Sequence, residues 1–267
     1  MTRAERTITF REREFKGSRY RCLLLTSDTP AKVSTFLTSL VAPHATVTPK
    51  DHWAPRGFLN PDEAKLGETP GFLPEADREA VTRWWLAKPG RANTPNWDMV
   101  STCQINNRQG LILIEAKAHE GEFADDRCGA TNRQNFQQIE NALGEATVAW
   151  NSLTTGFALS ADSHYQLSNR FAFAWKLAKM RIPVVLVYLG FLDAYEMENR
   201  SRVLLRNDAQ WRHCVMAGSK GTIPEAAWDR RFAVAGGDDV EGTPLTVPIR
   251  SAVVGIEARS TSGGANP

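Results

Sequence analysis

Four consecutive aliphatic residues, Leu111-Ile112-Leu113-Ile114, run without a break into Glu115-Ala116-Lys117, and this stretch constrains the fold more than any other. A short unbroken apolar run belongs in the middle of a sheet covered on both faces. Side chains alternate across a strand, so Glu115, Lys117 and His119 project to one side while Ile114, Ala116 and Ala118 project to the other. Charged groups are costly to bury alone. Two of them closing such a strand need partners or a metal, unless the strand simply ends in solvent.

Upstream, Asp98 to Ile105 also has strand character, and Asn106-Asn107-Arg108-Gln109-Gly110 between the two runs has hairpin-turn chemistry. A two-residue turn on Asn106-Asn107 places Asp98 across from Glu115, and one on Asn107-Arg108 places it across from Lys117. Either register puts all three side chains on one face. Two carboxylates converging there repel each other unless a cation or a proton intervenes. Carboxylate oxygens completed by water and substrate phosphate are what Mg²⁺ prefers, with Mn²⁺ as a substitute. Such an ion activates water and polarises a phosphoryl oxygen, and the Lys117 ammonium beside it can position that water and offset developing charge. No G-x-S-x-G elbow and no P-loop occurs in the sequence.

The rest of the chain predicts a strand at Tyr20 to Thr26, a helix from Pro30 to Leu40, and a polar, Pro-rich connection from Ala42 to Pro70. A helix is expected over Pro74 to Ala87, with Val81, Trp84 and Trp85 on one side. Phe136, Ile139, Leu143, Ala146 and Trp150 recur at helical spacing, so Asn132 to Trp150 is predicted helical, as is Ser163 to Met180. Pro183 to Leu189 reads as a second buried strand, Trp211 to Met216 as part of a helix, Leu245 to Ile256 as a terminal strand, and Ala258 to Pro267 as a disordered tail. The expected fold is α/β, a central mixed sheet flanked by helices in one domain over residues 1–257, with its core at about 74–192.

Composition narrows function by exclusion. The 267 residues carry a formal net charge of +2, which does not suit a polycation that coats nucleic acid indiscriminately. Locally, seven basic residues stand against three acidic ones between Met1 and Cys22, suited either to phosphate contact or to an alternating solvated surface. The four cysteines are scattered without a C-x-x-C pair, the apolar run at Ile182 to Leu192 is too short to span a bilayer, and no secretory signal stands out. A cytoplasmic protein without membrane contact is the expectation.

Asn96-Trp97-Asp98, a spacer of sixteen residues, and Glu115-Ala116-Lys117 closing Leu-Ile-Leu-Ile together resemble the PD-(D/E)XK nuclease superfamily, the restriction-endonuclease-like fold. In this chain Pro95 precedes Asp98 by three positions instead of one. The resemblance implies Asp98 and Glu115 as metal ligands, the Ala116 backbone carbonyl as a further ligand, and Lys117 as the catalytic lysine. It also implies a carboxylate from a preceding helix, matched by Glu79 with Glu75 as second choice. Gln166 and Arg170 on the later helix would point toward the scissile phosphate. Each has a plainer reading: Glu79 and Arg83 suit a surface pair, Gln166 and Arg170 a buried polar pair, and His119 a rim residue. Gln134, Gln137 and Gln138 suit either nucleic-acid contact or an inert helix surface, and Trp97 either the cleft or the core. Asp238-Asp239 has turn composition.

The expected activity is Mg²⁺-dependent hydrolysis of DNA phosphodiesters by an endonuclease of restriction or defence. RNA or branched DNA remains an open substrate. A homodimer would suit cutting of both strands. The alternative from another class is a non-catalytic nucleic-acid-binding or assembly module with a nuclease-like fold.

Overall fold

A computed structural model describes residues 16–90, 92–123, 126–234 and 239–241. The basic residues before Lys16, the expected strand at 245–256, the tail at 258–267 and Asp238 lie outside the described residues.

The chain opens with helices α1 (Gly17–Thr26) and α2 (Pro30–Val41). The first corrects the strand expected at Tyr20 to Thr26. Its apolar run does not alternate, and a run this short is compatible with either state. In the fold Cys22, Leu23 and Thr26 are buried at helical spacing, with the Thr26 hydroxyl bonded to the Cys22 carbonyl one turn back at 2.8 Å. The connection from Ala42 to Pro70 is more structured than its composition suggests, holding the short strands β1 (Trp53–Ala54) and β2 (Ala64–Lys65). Helix α3 (Glu75–Trp85) starts behind Pro74 and turns Val81, Trp84 and Trp85 inward.

Strands β3 (Asn96–Trp97), β4 (Met99–Ile105) and β5 (Arg108–Lys117) follow. The hairpin between β4 and β5 turns on Asn106-Asn107, whose φ angles of 49° and 62° are the left-handed pair a two-residue turn requires. Ile105 pairs with Arg108 and Met99 with Ile114, so this register is the one that aligns Asp98 with Glu115. Helices α4 (Arg133–Leu153) and α5 (Tyr165–Lys179) carry the chain over to β6 (Val184–Gly190), which runs parallel to β5. Helix α6 (Asp208–Ser219) and the short strands β7 (Phe232–Ala233) and β8 (Asp239–Glu241) complete the described part.

Among the described residues the main sheet runs β1-β4-β5-β6-β8-β7, with β1, β4 and β5 antiparallel, β5, β6 and β8 parallel and β7 antiparallel to β8, while β2 and β3 form a separate ribbon. The protein is therefore mixed α/β, with a mixed sheet flanked by helices. Its two faces have separate cores. Met99, Ile112, Ile114, Val185 and Val187 pack under α1 and α2, whereas Val100, Leu111, Leu113, Leu186 and Tyr188 pack under α3, α4, α5 and α6. Glu115 and Lys117 belong by alternation to the second face. No helix among the described residues is long and apolar enough to cross a membrane.

Candidate active site

The hairpin register brings Asp98 to the end of β5 where Glu115 sits, although Asp98 is not itself a strand residue. It occupies a bend between β3 and β4. Its Oδ2 accepts the Ala116 backbone N–H at 2.7 Å, so a side chain takes over where the ladder stops. Its Oδ1 accepts no hydrogen bond among the described residues, and Asp98 lines a cleft of about 270 Å³ together with Glu63, Asp126, Gln166, Asn169 and Arg170.

Glu115 is 1% exposed and is held by two cations. Lys117 Nζ donates to Oε1 at 2.6 Å, and Arg170 Nε donates to Oε2 at 2.7 Å. Burial pushes the Glu115 carboxyl up, but the charges of Arg170 and Lys117 outweigh it and hold the group below its ordinary value. Burial likewise disfavours charge on Lys117, yet Glu115 and Asp98 keep it an ammonium with a raised pKa. Asp98 moves the other way. Burial and the adjacent Glu115 charge push its carboxyl well above the carboxylate range, against the pull of Lys117 and the Ala116 N–H.

Helix α5 supplies the remaining groups. Gln166 Oε1 accepts from Lys117 Nζ at 2.5 Å, and Arg170 also donates to the Asn96 carbonyl at 2.6 Å. These two helix positions, one turn apart, therefore address the lysine and the glutamate of one strand. Asp126 sets the start of the helix. Both its carboxylate oxygens accept the Gln166 N–H, at 3.2 and 3.0 Å, while His164, the residue before the helix, gives no side-chain cap. Lys117 also borders a small recess of about 30 Å³ behind Gln166, shared with Glu122 and the buried Tyr188.

Several expected residues stand elsewhere. Glu79 is a correction: its side chain is 58% exposed and pairs with Arg83 at 3.0 Å. Val81, Trp84 and Trp85 form the buried face of α3, and at 100° per residue Glu79 falls on the opposite face, as does the exposed Glu75. The carboxylate ahead of the core that does reach the cleft is Glu63, which lies in the Pro-rich connection and had no sequence signal. Trp97 is fully buried, its ring 4.3 Å from the Arg170 guanidinium, so it supports the arginine instead of lining the cleft. His119, just past β5, has its side chain 12% exposed with Nε2 3.4 Å from Glu122, and it is not among the residues that line the cleft with Asp98. Gln138 donates to the Trp84 carbonyl at 2.8 Å and Gln137 to Asn141 at 3.4 Å.

No family model, no curated protein and no solved structure matches this chain. Among the described residues no group of three or more His, Cys, Asp and Glu is gathered for a metal ion. A closed, all-protein cage is one way to bind a cation, but Mg²⁺ commonly uses one or two carboxylates and keeps its waters and a substrate phosphate. Asp98 borders the cleft with one carboxylate oxygen outside the Ala116 hydrogen bond, whereas Glu115 Oε2 meets two Arg170 nitrogens and Oε1 meets Lys117. In an extended strand a residue's N–H and C=O point to the same edge, so the Ala116 carbonyl faces the Asp98 side. Hard oxygen donors of this kind are the ones Mg²⁺ and Mn²⁺ prefer, and of the three Asp98 borders the open volume while Glu115 is enclosed between Lys117 and Arg170.

Proposed function

We propose that the protein is a metal-dependent phosphodiester hydrolase of the PD-(D/E)XK type that cuts DNA, and that Asp98, Glu115 and the Ala116 carbonyl hold its Mg²⁺ ion. The observation that carries this reading is the meeting of Asp98, Glu115, Lys117 and Gln166 at one end of β5, from a bend, a strand and a helix far apart in sequence. A bound divalent cation supplies activation of water and polarisation of the phosphoryl oxygen.

The chain's own residues do the remainder. Lys117 stays protonated between Glu115 and Gln166, so it serves as a positioned charge for the phosphorane-like transition state and not as a base. Gln166 fixes the direction of that ammonium and lines the cleft from which substrate would approach. Arg170 keeps the Glu115 carboxylate ionised and oriented. Carboxylate-metal chemistry at phosphorus does not itself read the 2′-hydroxyl, so RNA is the competing substrate against which DNA is to be tested. Cutting of both duplex strands would suit a homodimer.

A second reading has one observation in its favour. Both Glu115 oxygens are already satisfied by cations of the same chain, a self-compensated arrangement that a non-catalytic nucleic-acid-binding or assembly module could also keep. A cleavage assay separates the two. Purified protein with Mg²⁺ or Mn²⁺ is expected to cut single- or double-stranded DNA, and Asp98→Ala and Lys117→Ala are expected to lose about 10²-fold or more in rate while remaining folded by circular dichroism. Undiminished cutting by both variants would overturn the site, and binding without cutting by the wild type would favour the second reading.

A further inference from the structure

Beside the cleft that Asp98 borders lies a larger cavity of about 510 Å³. Asn93 and Tyr165 line both, and the chain passes from Asp126 on the cleft wall to Cys128 on the wall of the larger cavity, so the two form one continuous depression. The larger cavity is walled by the exit of α3, the segment leading into α4 and the first turns of α4. Asn135 on α4 ties these walls together. Its side chain accepts the Lys88 backbone N–H at 2.7 Å and donates to the Lys88 carbonyl at 3.0 Å, which sets the shape before anything enters.

The lining changes character between the two volumes. Glu63, Asp98 and Asp126 make the cleft acidic, whereas no Asp or Glu lines the larger cavity and Lys88 does. A phosphate next to the scissile one is therefore repelled less on that side. Leu86, Pro89 and Ile139 offer apolar contact, while the backbone groups of Gly129, Ala130 and Thr131 make no hydrogen bond among the described residues and can meet a polar edge. An apolar face with a polar edge is the chemistry of a nucleobase, and such groups are read where bases are unpaired. The volume falls within the range of about 300–1,000 Å³ usual for small-molecule sites, which suits one nucleotide, and a base still paired in a duplex cannot enter without leaving its partner.

We infer that this cavity holds one unpaired nucleotide beside the scissile phosphate, so that the protein prefers single-stranded DNA to a fully paired duplex. The inference rests on the reading above that the cleft takes DNA.

Cys128 provides the handle for a test, because it lines the cavity half-buried while Cys22, Cys103 and Cys214 are buried. The full chain, with Ca²⁺ in place of Mg²⁺, is titrated by fluorescence anisotropy with a labelled, unstructured single strand of about twelve nucleotides and with a blunt hairpin duplex. The single strand is expected to bind about tenfold more tightly. It should also slow the alkylation of Cys128 by N-ethylmaleimide, read by mass spectrometry, whereas the saturating duplex should not. Gly129→Trp fills the cavity, since the Gly129 backbone is not left-handed and a Cβ there meets nothing within 4 Å. That variant should bring single-strand affinity down to that of the duplex, a selective loss that a merely structural role of the segment would not produce. Near-ultraviolet circular dichroism reports whether it folds; should it not, the wild-type affinities and the Cys128 protection decide. Equal binding of the two DNAs, unslowed alkylation with the single strand bound, or a preference kept by folded Gly129→Trp would overturn this inference and leave the metal-dependent reading to the cleavage assay. Binding of neither DNA would overturn both.

Discussion

Glu115 illustrates how much one buried charge depends on its neighbours. Its strand position and its face follow from alternation along Leu111 to Ala118, and its pairing with Lys117 follows from their spacing. Its second partner, Arg170, lies 55 positions away, and no local pattern connects the two. Removing the carboxylate strands two cations in a dry site. Glu115→Ala is therefore expected to lose about 3–5 kcal/mol in urea unfolding. Glu79→Ala, by contrast, removes a surface pair and should change stability by no more than about 0.5 kcal/mol and leave any cleavage activity untouched. Equal losses for the two variants would contradict the burial assigned here.

Elements were legible in the sequence where a period or a turn marked them. Helices α2, α3, α4 and α5, strands β5 and β6, and the turn between β4 and β5 stand where periodicity and turn composition put them, to within a few residues. Helix α1 was not legible, because Cys22-Leu23-Leu24-Leu25 is too short to show either period and only its seat on the sheet made it helical. β1 and β2 are too short to leave a pattern, and β2 owes its place to pairing with β3. The turn that aligns Asp98 with Glu115 depends on two residues with positive φ. Asn107→Val, which puts a β-branched side chain at φ 62°, should cost about 1–2 kcal/mol by chemical denaturation. Asn107→Gly should cost nothing or stabilise. A valine variant as stable as wild type would mean that the hairpin does not need this turn.

Contacts between segments far apart in sequence tie one face of the molecule together, and one of them is pH-sensitive. Arg21 on α1 donates to both carboxylate oxygens of Glu196, at 2.7 and 2.8 Å, and to the carbonyls of Leu192 and Asp193 beyond β6. Burial pushes the Glu196 carboxyl up, but the bonds from Arg21 prevail and hold it below its ordinary value. A depressed folded pKa gives stability that is fully present above the unfolded value of about 4.3 and is lost as pH falls through the folded one. Glu196→Gln should therefore lower stability at neutral pH and flatten its decline below about pH 4.5. Parallel wild-type and variant curves from pH 3 to pH 6 would rule this contact out as a contributor. The hairpin and the shared face of Asp98, Glu115 and Lys117 were determined by the sequence alone, because side-chain alternation and turn chemistry act over a few bonds, while the choice of the register that sets Asp98 across from Glu115 came from the fold. Only the tertiary structure decided that Arg170 closes on Glu115, that Asp126 caps the helix bearing Gln166, and that Glu63 and not Glu79 reaches the cleft. Those choices depend on how α5 and the β2–β3 ribbon are set against the sheet, and that placement is a sum of packing contacts over the entire core that no short stretch of residues encodes.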